Sequence, residues 1–128
     1  EGPAVIFDIG GGSTELVLID DRDGDPHILD WASIPWGVVS LTEHHRHDSN
    51  DPAARQAAYA AMRTTVGQAV RNFTGRIATR LDEFGGHPPR LLGTSGTVTT
   101  LASLYLGLAS YDRSQVDGLT VATRDMIA

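Results

Sequence analysis

The sequence predicts an α/β fold whose mixed sheet begins with three antiparallel strands, and three features carry that expectation. Short apolar runs at Ala4–Phe7 and Leu16–Ile19 flank a glycine cluster, Gly10–Gly12, the pattern of two adjacent strands joined by a tight loop. A third run, His27–Ile34, follows the turn-forming stretch Asp20–Pro26. Two helical patterns separated by a brief strand come next. With 128 residues, 41% of them hydrophobic, the chain can bury one core and suits a single domain.

After the third strand the chain passes through Pro35, Trp36 and Gly37 towards Leu41, and the polar segment Thr42–Asp51 reads as a connection. Asp51 as cap and Pro52 at the first helical position then open a long helix, expected to reach about Phe84. Its apolar stripe is Ala58, Ala61, Met62, Thr65, Ala69, Phe73, Ile77, Leu81 and Phe84, with Arg63, Arg71, Arg80 and Glu83 largely off that face. Gly67 and Gly75 are candidate bends, each costing roughly 1 kcal/mol relative to alanine. Gly85, Gly86, Pro88 and Pro89 stop the helix, and Arg90–Leu92 reads as a strand running into a second loop, Gly93–Thr97. Val98, Leu101, Ala102 and Tyr105 give a second helix its spacing, with Tyr105 expected in the core and Gly107 closing the pattern. The tail is less regular, with Thr123 as the expected cap of a short helix reaching Ala128. Both main helices are expected to pack on the sheet, and both glycine-rich loops to share one rim.

Composition removes several function classes. A formal net charge of −6 argues against a nonspecific nucleic-acid surface and is awkward for an enzyme of a polyanion, so phosphate would be held by backbone amides, cations or another domain. No run approaches the roughly 18 apolar residues of a membrane helix, and the N-terminus lacks the basic and apolar regions of a signal peptide. The chain has no cysteine, which excludes disulfides and thiolate metal sites; the cytoplasm is the default expectation.

The first loop reads Asp8-Ile9-Gly10-Gly11-Gly12-Ser13-Thr14-Glu15. Glycine lets backbone amides approach an anion, Ser13 and Thr14 add hydroxyl donors, and carboxylates beside phosphate make sense with a divalent cation between them. A plain hairpin turn would explain the glycines but not the Ser-Thr-Glu run. The second loop, Gly93-Thr94-Ser95-Gly96-Thr97, precedes a helix, so its amides and hydroxyls suit an anion, although Ser and Thr also cap helices with no ligand present. Neither loop completes Gly-x-Gly-x-x-Gly or ends in Gly-Lys-Ser/Thr, so dinucleotide-binding and P-loop folds are disfavoured.

Asp8 to Val17 resembles the signature of the exopolyphosphatase and guanosine pentaphosphate phosphohydrolase (Ppx/GppA phosphatase) family. Ile34 to Glu43, Gly93 to Ala102, Tyr111-Asp112 and Val116-Asp117-Gly118 resemble later family segments in the same order. The resemblance implies an actin-like, Hsp70-like (ribonuclease H-like) fold in which two domains enclose a cleft, this chain being a partial second domain. An upstream domain with another phosphate loop and a catalytic glutamate, and a C-terminal strand and helix, would complete it. It further implies release of terminal phosphate from inorganic polyphosphate, or of the 5′ gamma-phosphate of guanosine pentaphosphate, by water and a divalent ion such as Mg2+. Asp8 and Glu15 would serve catalysis and the metal, while Gly10, Gly11, Gly12, Ser13, Thr14, Gly93, Thr94, Ser95, Gly96 and Thr97 would bind phosphate. Partners beyond the substrate and the missing first domain are a homodimer of the intact protein at most, with no nucleic acid and no membrane. The chain alone is expected to be inactive.

Two other classes compete: a noncatalytic sensor of a phosphorylated alarmone, and an actin-like sugar kinase or ATPase, whose Asp8-x-Gly10-x-x-x-Thr14 pattern is also met. The Gly-Gly-Ser-Thr-Glu match favours the phosphatase. His44, His45 and His47 read as a solvated connection rather than a metal site, and Trp31 and Trp36 as core or domain-interface packing.

Overall fold

The computed structural model describes residues 2–127. Four strands, β1 (Pro3–Ile9), β2 (Thr14–Asp20), β3 (His27–Ile34) and β4 (Arg90–Thr94), form one sheet in the order β3-β2-β1-β4. The first three make an antiparallel meander and β4 joins β1 in parallel, giving the mixed sheet the sequence predicts. Val5 lies opposite Leu18, and Phe7 opposite Leu16, which in turn faces Ala32. Because strand side chains alternate between faces, these residues and Ile34 line one side of the sheet.

That side is covered by α2 (Pro52–Asp82), whose Phe73 and Ile77 are buried among Val5, Leu16, Leu18 and Ile34. The Asp51 carboxylate accepts the Ala53 N–H at 2.9 Å, so cap and Pro52 open this helix as expected. At 31 residues the helix is about 46 Å long, twice the length of the 7-residue strand β1. Its apolar stripe is therefore only partly core. Ala69, Val70, Phe73, Ile77 and Leu81 join the cluster, whereas Ala58, Ala61, Met62 and Thr65 are half-buried outside it. The helix ends at Asp82 rather than Phe84, whose ring lies under the Arg22 guanidinium at 4.1 Å.

Further differences from the sequence reading are local. A short helix, α1 (Val38–His44), occupies a stretch read as connection. The second loop is not a loop: Gly93 and Thr94 finish β4, and Ser95 to Thr97 form the first turn of α3 (Ser95–Tyr105). A Cβ on Gly93 would stand 2.5 Å from Val98 Cγ1 and 2.9 Å from Phe7 Cζ, so α3 rests over the Phe7 end of the same face as α2. Tyr105 is 48% exposed, not core, because α3 meets the sheet through its first turns and leaves its C-terminal end in solvent. Asp112 caps a brief α4 (Arg113–Val116), and α5 (Thr123–Ile127) begins at Thr123, which is its first residue and not its cap. The expected end at Ala128 lies outside the described residues. No helix is long and apolar enough to cross a membrane among the described residues.

Candidate phosphate and cation site

The parallel pairing of β1 with β4 sets the site. Asp8 is in register with Thr94 and, across the antiparallel pair, with Glu15. The end of β1, the β1–β2 turn and the start of α3 thus meet on one rim. Asp8 and Glu15 fall on the face opposite the core and α2, where both are half-buried.

Each carboxylate is fixed through one oxygen. Ser13 Oγ and Ser33 Oγ both donate to Glu15 Oε1 at 2.9 Å, and Ser95 Oγ donates to Asp8 Oδ1. Among the described residues Asp8 Oδ2 and Glu15 Oε2 accept no hydrogen bond, and neither carboxylate has an ion pair. Like charges placed directly opposite in a sheet repel. Two open carboxylate oxygens on one face, with hydroxyls around them, make an all-oxygen donor set of the kind hard divalent cations take. Among the described residues no group of three or more His, Cys, Asp or Glu is placed to hold a metal ion. Mg2+ is commonly held by one or two carboxylates with water and substrate phosphate, and Asp8 and Glu15 are the carboxylates this rim offers to such a cation.

The turn itself spans Gly10 to Ser13, closed by the Gly10 N–H donating to Ser13 O at 2.9 Å. Gly10, Gly11 and Gly12 all avoid positive φ, and of the three only Gly10 is short of room, a Cβ there standing 3.2 Å from Ser13 O. Nothing stands within 4 Å of a Cβ built on Gly12. Thr14 turns away from the rim and donates to Trp36 O at 2.8 Å, which makes it a brace. On the other side of the rim Ser95 holds φ at +69°, and α3 begins there without a side-chain cap.

Sequence reasoning missed Ser33, Gly37 and Ser40. Ser33 reaches Glu15 from an adjacent strand, and only the register reveals it. The histidines gather no metal site: His45 Nε2 pairs with Thr65 Oγ1 at 3.1 Å, His47 Nδ1 with the His45 carbonyl, and the His44 ring packs 4.9 Å from that of Trp36. Trp36 is packed against the core, whereas Trp31 is 57% exposed.

Comparison with known proteins agrees with this architecture. A family model described as the Ppx/GppA phosphatase family matches residues 1–116. Exopolyphosphatase 2 of Mycobacterium tuberculosis is 29% identical over 98% of this chain, and the chain spans 35% of that relative's length. Among solved structures, an exopolyphosphatase-like protein superposes with a TM-score of 0.75 at 32% identity, over 97% of this chain and 36% of the other. A type II variant of the Aquifex aeolicus Ppx/GppA phosphatase gives a TM-score of 0.59 at 26% identity, over 98% and 36%. The fold is the actin-like fold of these relatives.

Proposed function

The chain belongs to the Ppx/GppA phosphatase family, and from that premise we propose that the intact protein hydrolyses phosphoanhydride bonds, releasing terminal phosphate from inorganic polyphosphate or the 5′ gamma-phosphate of guanosine pentaphosphate. The observation that carries the reading is the pairing of Asp8 with Glu15 on one rim, each tied down through one oxygen and open at the other.

Phosphoryl transfer to water is governed by positioning and by stabilisation of charge on the transferred group. A divalent cation, Mg2+ in this proposal, supplies charge neutralisation when bound. Asp8 Oδ2 would hold it, directly or through water. Glu15, locked by Ser13 and Ser33, would keep Oε2 aimed at the metal's water shell or at the attacking water. Gly10 to Ser13, with Thr14 bracing the turn, and Gly93 to Thr97 would cradle the phosphate chain from two sides. Water adds to the terminal phosphorus as the anhydride P–O bond breaks, the shortened chain leaves with the bond's electrons, and a base takes the water's proton. That base is expected to be the catalytic glutamate of the upstream domain.

The test is phosphate release by the full-length protein, with Mg2+, from both substrates and from ATP with and without a sugar acceptor. Release from polyphosphate or guanosine pentaphosphate is the expected result. Turnover of ATP alone would transfer the site to the kinase and ATPase class, and tight alarmone binding without phosphate release would make it a sensor.

A further inference from the structure

We infer that α1 is a clasp that determines which side of the β1–β2 turn faces the phosphate, with Gly37 and Ser40 as its positioning residues; the inference rests on the phosphate-binding reading of that turn. The Val38 N–H donates to Gly10 O at 3.1 Å, and the N–H groups of Val39 and Ser40 donate to Gly11 O at 2.9 and 3.1 Å. Ser40 Oγ lies 3.3 Å from both Gly12 O and Gly37 O, so its one proton is shared between the turn and the start of its own helix. Three successive carbonyls of the turn are thus drawn to the first turn of α1. In a planar trans peptide the N–H points opposite to the C=O of the same plane, and the described chain has no cis peptide. The N–H groups of Gly11, Gly12 and Ser13 therefore point away from α1, side by side. Among the described residues none of the three donates a hydrogen bond.

Successive N–H groups turned to one side form a concavity that attracts anions. The first N–H groups of a helix have no partner within it. In α1 they are used on the turn, so the anion-facing donors belong to the turn and not to the helix. Gly37 permits the close approach. A Cβ there would lie 2.3 Å from Gly10 O and 2.6 Å from both Gly11 C and Gly11 O, all backbone atoms that no side-chain rotation can move. Ser40 Oγ also accepts the Gly37 N–H at 2.8 Å, closing the helix start on itself, and Thr14 Oγ1 ties the incoming chain to β2 through Trp36 O at 2.8 Å.

The experiment uses full-length protein labelled with [15N]glycine and titrated with inorganic pyrophosphate and Mg2+, alongside polyphosphate kinetics, for wild type, Ser40→Ala, Ser40→Thr and Gly37→Ala. The Gly11 and Gly12 resonances should shift together in wild type and in Ser40→Thr. In Ser40→Ala their response should weaken and kcat/KM fall about tenfold, the scale of one lost hydrogen bond, with an unchanged circular dichroism spectrum. Gly37→Ala should abolish the response; if it does not fold, Ser40→Ala and its threonine rescue still decide. Wild-type amides that stay unmoved by pyrophosphate during normal hydrolysis would overturn the clasp and spare the proposed function. Moving amides in a protein that releases no phosphate would support the clasp and sink the proposed function. A Ser40→Ala variant with wild-type shifts and wild-type kcat/KM would also overturn the clasp.

Discussion

Ser95 keeps a positive φ of +69° while its hydroxyl donates to Asp8. A non-glycine residue in that region costs on the order of 1 kcal/mol, and such strain gathers where the rest of the site over-determines the geometry. Ser95→Gly should therefore stabilise the full-length protein by up to about 1 kcal/mol in urea denaturation while lowering kcat/KM, since the strain and the hydroxyl go together. Ser95→Ala separates the two. It should lose activity without gaining stability, and a gain equal to that of Ser95→Gly would show that the backbone there is unstrained. For Asp8 and Glu15 the expected loss is larger: Asp8→Asn and Glu15→Gln should each reduce phosphate release by at least roughly 100-fold, the scale of a key electrostatic group. Mg2+ should also raise the thermal midpoint of wild type more than that of either variant, because the cation relieves repulsion between facing carboxylates. Equal midpoint shifts in all three proteins would place the metal elsewhere.

Among the elements, α2 carries the sheet's cover and is tethered to β3 by an ion pair. Arg76 Nε and Nη2 donate to the two oxygens of Asp30 at 3.1 and 3.0 Å, and Nη2 also donates to Trp31 O at 2.9 Å. The Arg76 guanidinium holds the Asp30 carboxyl below its ordinary value of 3.8. A carboxyl depressed on folding contributes stability that is complete above the unfolded value and is lost as pH falls through the lower folded value. Asp30→Asn should thus be less stable than wild type at neutral pH, by a margin that solvent screening of the exposed Arg76 keeps small. The two stabilities should converge as the solution is acidified below the carboxyl's ordinary value of 3.8, followed by urea denaturation across pH. A difference that persists unchanged into acid would mean the pair contributes nothing through its charge. The strands and α2 were legible because alternation, turn residues and the Asp51-Pro52 start are local signals. Helix α1 was not, because its start is fixed by carbonyls of the β1–β2 turn, which lie far back in the chain at Gly10, Gly11 and Gly12. Gly93 to Thr97 misled for a related reason: the strand passes straight into the helix through the unusual φ of Ser95, which no composition rule anticipates. Asp8, Glu15 and the glycines were readable as a motif, yet Ser33 became visible only through the pairing of β2 with β3.

For the molecule as a whole, the decisive feature is that the proposed site is one open wall. Gly11, Gly12, Thr94, Ser95 and Gly96 are all exposed, so the rim lies open to solvent. The chain spans 35% of the length of the curated relative it matches. A net charge of −6 further opposes an unscreened polyanion. Hydrolysis of a phosphoanhydride needs an oriented water and charge stabilisation from several directions in a site that excludes bulk solvent. In the proposed mechanism the base comes from the upstream domain, so this wall by itself would leave the water unactivated and the transferred group stabilised from the rim alone. Residues 1–128 expressed alone should therefore release phosphate from polyphosphate and guanosine pentaphosphate at least roughly 1000-fold more slowly than the full-length protein, the order expected when several electrostatic contributions are lost together. Weak Mg2+-dependent phosphate binding should survive, because the rim is built from contacts within this chain: the Asp8 and Glu15 register, the serine donors and the clasp of α1. Isothermal titration of the short chain with pyrophosphate, with and without Mg2+, reads the binding, and a malachite-green assay on both proteins reads the turnover. Comparable turnover by the short chain would show that one wall suffices, and the mechanism would then have to find its base among the residues of this chain.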